Sequence, residues 1–85
     1  MRLYEVTQRM LEAYDARIVK VRQSDDFDAM PVSRFNRLLI EAARDSGIAA
    51  DLPDDLLDCK PSEVIAYTQR IVEHINAAKA PADPN

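Results

Sequence analysis

The sequence holds one glycine, one cysteine, one histidine and no tryptophan, and each scarcity closes off a class of protein. With Gly47 as the sole glycine and no alternating run of β-branched residues, no segment reads as a strand. A lone Cys59 cannot close an internal disulfide, which points to a reducing cytoplasm. A nucleophilic triad needs a base beside its nucleophile. The single histidine, His74, falls between Glu73 and Ile75 on the flank of a helical pattern and reads as a half-exposed surface residue. Cys59 has no histidine near it in sequence and lies among acids, which raise a thiol pKa. No stretch approaches the roughly 20 apolar residues of a membrane span, and the opening run from Met1 to Val6 lacks the apolar segment of a signal peptide. The expectation is a soluble, cytoplasmic protein that is not an enzyme.

Eighty-five residues make one domain. A chain this short buries a thin core and has no room for a cleft walled by two subdomains, so any chemistry must come from a partner or a cofactor. Basic residues number 11 and acidic residues 15, for a net charge of −4. The imbalance is concentrated after residue 44, where three basic side chains face eight acidic ones. Nucleic acid and anionic membrane are both disfavoured as partners by that balance.

Three segments carry helical spacing. The first uses Leu3, Val6, Met10, Tyr14 and Ile18, with Leu11 and Val21 alongside and Glu5 and Arg9 four apart on the solvent side. Its end falls between Tyr14 and Arg22, without a stop signal to fix it. Residues 23–31 read as a loop, closed by Pro31, which disfavours a helical backbone at Met30. The second helix spans about Val32 to Ser46 with Phe35, Leu38, Leu39 and Ala42 on one face, Ser33 as its cap, Gly47 as the left-handed stop and Ile48 packing back. In the acidic connector, Asp51-Leu52-Pro53 can start a short helical turn with Leu56 and Leu57 toward the core. The last helix opens at Pro61, places Glu63 in its positive first turn and runs to about Ala78. Its stripe is Val64, Thr68, Ile71, Ile75 and Ala78, flanked by Ile65 and Val72. The expected fold is all-α, a small four-helix bundle of three main amphipathic helices and one short one. It occupies residues 1–79, with 80–85 a disordered tail. No face is apolar all round, and the breadth of the last stripe leaves room for a weak homodimer beside the monomer.

Metal ligation by Asp25, Asp26 and Asp28, or by Asp51, Asp54, Asp55 and Asp58, fails on pattern. Neither cluster has the central glycine and terminal glutamate of a calcium loop. A helix-turn-helix turning on Ala43 and Gly47 fails on charge. Its groove-entering segment would be Ala49 to Asp58, with Pro53, four aspartates and no base. Ser33 differs from both. It follows a proline-containing loop at a helix N-terminus, where free N–H groups and the helix dipole favour negative charge. A phosphodiester on that hydroxyl would be stabilised by the backbone alone; a plain N-cap serine fits the same place.

Three stretches together resemble the acyl and peptidyl carrier family. They are Asp25-Asp26-Phe27-Asp28-Ala29-Met30-Pro31-Val32-Ser33, the helix from Arg34 to Ser46 closed by Gly47-Ile48, and the connector from Leu52-Pro53 to Pro61-Ser62-Glu63-Val64. In that family an aromatic residue precedes the modified serine by a short loop. A Leu-Pro starts its short third helix, and a Pro followed by a small hydroxyl residue starts its fourth. The family usually has Asp or His before the serine, Leu or Met after it and a glycine shortly ahead. Here Val32, Arg34 and Met30-Pro31 hold those places.

The resemblance implies a 4′-phosphopantetheine arm on Ser33, added by a separate pantetheinyl transferase. Thioester-bound intermediates would then be presented to acyl- or aminoacyl-processing enzymes, with Phe27, Phe35, Leu38 and Leu57 near the arm. The rival expectations are a cofactor-free helical interaction module (adaptor, inhibitor or phage-type assembly chaperone) and a self-assembling structural subunit. The first rival would dock through the stripe from Val64 to Ala78 and the cluster Arg17, Lys20 and Arg22.

Overall fold

The computed structural model describes residues 1–80; the tail expected at 80–85 lies, Ala80 apart, outside the described residues. Its elements in chain order are β1 (Arg2–Leu3), α1 (Gln8–Arg22), α2 (Val32–Asp45), β2 (Ala49–Ala50) and α3 (Pro61–Lys79), with single 3-10 turns at Phe27–Ala29 and Leu56–Asp58. The fold is mostly helical, with three helices where four were expected.

The first helix starts later than its apolar spacing indicates. Thr7 caps it, its hydroxyl accepting the Met10 N–H at 3.2 Å. Val6 just before the cap and Leu11 at the fourth helical position both pack on the core, the two positions of a hydrophobic staple. Glu5 therefore precedes the helix, and no Glu5–Arg9 ion pair forms among the described residues. Leu3 belongs to β1, which pairs antiparallel with β2 in the register Arg2 with Ala50 and Leu3 with Ala49. The Tyr4 N–H extends the pairing by donating to the Ile48 carbonyl at 2.9 Å. The helix then continues through Tyr14 to Arg22, with Lys20 and Arg22 in a last turn whose carbonyls favour positive charge.

α2 is the central element, packed against α1 on one side and α3 on the other. It ends as Gly47 predicts. The Ile48 N–H donates to the Ala43 carbonyl (2.9 Å) and the Gly47 N–H to the Arg44 carbonyl (3.1 Å), with Gly47 at φ +86°. That is the paired bonding of a Schellman motif. It turns Ile48 into the core and aims Ala49–Ala50 at β1.

One cluster of buried side chains draws on all three helices and the segment between α2 and α3: Tyr14 and Ile18; Leu39, Ile40, Ala42 and Ala43; Ile48, Ala49 and Leu56; Ile71 and Ile75. Ile40, Ile48 and Ile71 are fully buried. At roughly 25 cal/mol per Å² of apolar surface removed from water, each stabilises the fold by about 1.5–3 kcal/mol.

The expected short helix after Pro53 is one 3-10 turn. Its start is set by Asp55, whose carboxylate accepts the Leu57 N–H at 3.0 Å. On so tight a turn adjacent residues point about 120° apart, so Leu56 and Leu57 cannot both reach the core. Leu56 is buried and Leu57 is 71% exposed. The stripe of α3 is likewise narrower than its spacing indicates. Ile71 and Ile75 are buried against α2, Val64, Thr68 and Val72 are half-buried, and Ala78 is exposed.

Candidate functional site

The site centres on the first turn of α2. Pro31, with ψ 144°, takes the cap position that Ser33 was expected to hold. Met30 is forced extended by the proline after it, and the backbone is already helical at Val32, so Ser33 is the second residue inside the helix. A capping hydroxyl needs an extended backbone to reach the amides ahead of it. Ser33 lacks that geometry, and its side chain makes no capping bond.

Its hydroxyl is exposed and stands in the first helical turn. The Arg34 and Phe35 N–H groups both use the Pro31 carbonyl, at 3.1 Å each. That leaves the Val32 and Ser33 N–H groups with no backbone acceptor among the described residues. A phosphate on Ser33 would meet two free amides and the positive end of the helix, with Arg34 and Arg37 lining the same groove. Those residues fit a phosphodiester.

Beside Ser33 lies an open groove of about 450 Å³ between the start of α2 and the segment from Leu56 into α3. Its lining is mostly apolar, including Val32, Leu56, Leu57, Val64 and Ile65. Among the described residues, three of the five exposed large hydrophobic residues converge here: Val32 at 73%, Leu57 at 71% and Ile65 at 47% exposure. The charged residues lining the groove are Arg34 and Arg37. Each has an acidic neighbour: Arg34 lies 3.6 Å from Asp26, and Arg37 lies 3.2 Å from Glu41, one helical turn on.

Cys59 is half-buried, packed against the edge of the core and lining the groove wall. Burial foremost, and then the carboxylates of Glu63, Asp58 and Asp55, push its thiol pKa up. That is the reverse of what an activated nucleophile needs.

Of the residues expected near an arm on Ser33, only Leu57 lines this groove. Phe27 and Phe35 form an edge-to-face pair with ring centroids 5.8 Å apart. Phe35 faces a second open cleft of about 600 Å³, between α1 and α3, with Tyr14, Leu39 and Val72. Position along α2 explains the split: Phe35 is two residues past Ser33, nearly the opposite side of a 3.6-residue turn.

His74 has a structural role that its sequence position does not announce. Its Nε2–H donates to the Tyr4 carbonyl at 2.6 Å, tying α3 to the strand that pairs with β2. Arg17, expected in a free basic cluster, pairs with Asp45 at 2.6 Å. The stripe of α3 is largely spent on α2. Lys20 and Arg22 of the basic cluster remain exposed. A sign of the groove was present in the sequence: Leu57 and Ile65 each follow a core-facing neighbour, Leu56 and Val64. Adjacent residues on a helical turn point about 100° apart, so the second of each pair is turned outward although both border the groove.

Among the described residues no helix is long and apolar enough to cross a membrane. No protein-family model, curated protein or solved structure matches this chain.

Proposed function

We propose that this chain is a carrier protein of the acyl or peptidyl type. Ser33 takes a 4′-phosphopantetheine arm from a separate transferase, and the loaded chain presents thioester-bound intermediates to partner enzymes in a reducing cytoplasm. The chain itself performs no bond-making step; the arm supplies the thiol, and the partners supply the catalysis. The observation that carries this reading is the exposed Ser33 hydroxyl in the first turn of α2, beside unpaired amides and on the rim of an open apolar groove. The amides and the two arginines suit the phosphate, and the groove offers apolar cover for what the arm bears.

Intact mass after incubation with a pantetheinyl transferase and coenzyme A tests it. The expected result is a gain of one phosphopantetheine that disappears in Ser33→Ala. No gain, or a gain that persists in Ser33→Ala, ends the carrier reading.

A second reading, a cofactor-free interaction module, is favoured by Val32, Leu57 and Ile65. Their exposure makes a docking surface with or without an arm. It is also favoured by Val32 and Arg34 standing where carriers usually have Asp or His and Leu or Met. A stoichiometric protein partner that binds Ser33→Ala as well as the native chain would support it.

A further inference from the structure

We infer that the groove between α2 and α3 docks a short amphipathic helix of a partner protein, with an acidic flank laid against Arg34 and Arg37. This rests on the view that the chain works by being bound, and it is independent of any loading of Ser33.

The apolar component comes from Val32, Leu57 and Ile65. They are exposed on different elements yet line one concavity, whereas singly scattered exposed apolar residues need no explanation. The shape favours a helix. The groove is walled by helical turns and offers no unpaired strand edge, so an added strand would find no backbone ladder to join, while a helix can lay an apolar stripe along it. From Val32 to Arg37 α2 rises only about 8 Å, so the occupant engages through roughly two turns and two or three apolar anchors.

Charge sets the occupant's flank. The chain is acidic overall, at −4, yet the charges lining this groove are positive. Asp55, Asp58 and Glu63 lie close enough to Cys59 to shift its thiol, but they do not line the groove. Arg34 and Arg37 sit three residues apart on one face of α2; the 3.6 Å Arg34–Asp26 pair is exposed, so an incoming acid can replace Asp26 at little cost, while Arg37 keeps its part-buried pairing with Glu41.

The test uses the full chain, ¹⁵N-labelled, titrated with two designed helical peptides that share a leucine stripe and differ only in carrying Glu or Lys on one flank. The acidic peptide is expected to bind saturably and to shift amides of Val32–Arg37 and Leu56–Ile65. Leu57→Ser, exposed and so harmless to folding, is expected to weaken binding roughly tenfold, as losing one buried leucine anchor implies. Arg34→Glu is expected to reverse the preference between the two peptides. Three results would overturn the inference: no saturable binding of the acidic peptide; a preference unmoved by Arg34→Glu; or the same amides shifting with phosphatidylglycerol vesicles but with neither peptide. Repeating the titration on Ser33→Ala separates this outcome from that of the mass measurement, since helix docking survives there even if no arm is ever attached.

Discussion

Replacing Gly47 with alanine isolates one physical term in this fold. Gly47 sits at φ +86°, beyond the narrow left-handed well open to residues with a side chain. Space is not the obstacle: a Cβ there would lie 3.9 Å from the terminal methyl of Met10, an ordinary van der Waals contact. The cost is therefore conformational. Left-handed backbone costs a non-glycine residue about 1–2 kcal/mol. Against this, alanine removes freedom from the unfolded chain and returns about 0.4–1 kcal/mol. The net expectation for Gly47→Ala is a loss of about 1 kcal/mol, or about 4–8 °C in Tm for a domain of this size. Gly47→Asn should lose less, because asparagine tolerates this region better. Urea denaturation followed by far-UV circular dichroism reads the change. A stabilised Gly47→Ala would refute the left-handed cap, and a loss above about 3 kcal/mol would mean a steric clash that the geometry denies.

Two further outcomes follow from the tie between α3 and the N-terminal strand and from the buried tyrosine. His74→Ala removes the donor to the Tyr4 carbonyl. It should cost about 1 kcal/mol and speed exchange of the Tyr4 amide, which is bonded to Ile48, about fivefold; unchanged Tyr4 exchange by NMR would dismiss the tie. Tyr14 has its pKa pushed from 10.0 up to about 12, first by burial and then by Asp15, with Arg22 opposing. A folded-state value above the unfolded one means its contribution is complete below pH 10 and is lost as pH rises toward 12. Tyr14→Phe should therefore show a smaller loss of stability across that window than the native chain, and parallel curves would count against the burial.

What the sequence disclosed, and what it hid, divides along physical lines. α2 and its stop were legible because Pro31 and Gly47 act locally: one fixes its own φ and restrains Met30, the other permits a φ that other residues resist. The start of α1 was misread because Leu3 and Val6 keep a helical spacing while serving other ends, Leu3 in a strand pair and Val6 ahead of the Thr7 cap. A two-residue strand has no period to detect, and Ala49–Ala50 has little intrinsic preference for one. The short helix after Pro53 was over-read because adjacent leucines were both assigned to the core, although one turn can bury only one of them. The serine was legible as a helix N-terminus but not as the second helical residue, a difference of two positions set by where the backbone first turns helical. The groove is a tertiary product: Val32, Leu57 and Ile65 are far apart in sequence and meet only when α3 folds back on α2.

α2 carries the fold's fastenings at one end and the candidate site at the other. Gly47, Ile48, the β1–β2 pair and the bond from His74 cluster around its C-terminal end; Ser33 and the groove surround its N-terminal end. Gly47 stands fourteen positions beyond Ser33, about 20 Å at 1.5 Å per residue. Lesions that far apart with no shared partner should add. The double variant Gly47→Ala with Leu57→Ser should thus show the stability loss of Gly47→Ala, to within about 0.5 kcal/mol, since an exposed leucine contributes little to folding. Its affinity for the acidic peptide, measured well below Tm, should be that of Leu57→Ser alone. If Gly47→Ala by itself weakens peptide binding under those conditions, α2 does not act as a rigid spacer, and the groove's shape depends on how its far end is fastened.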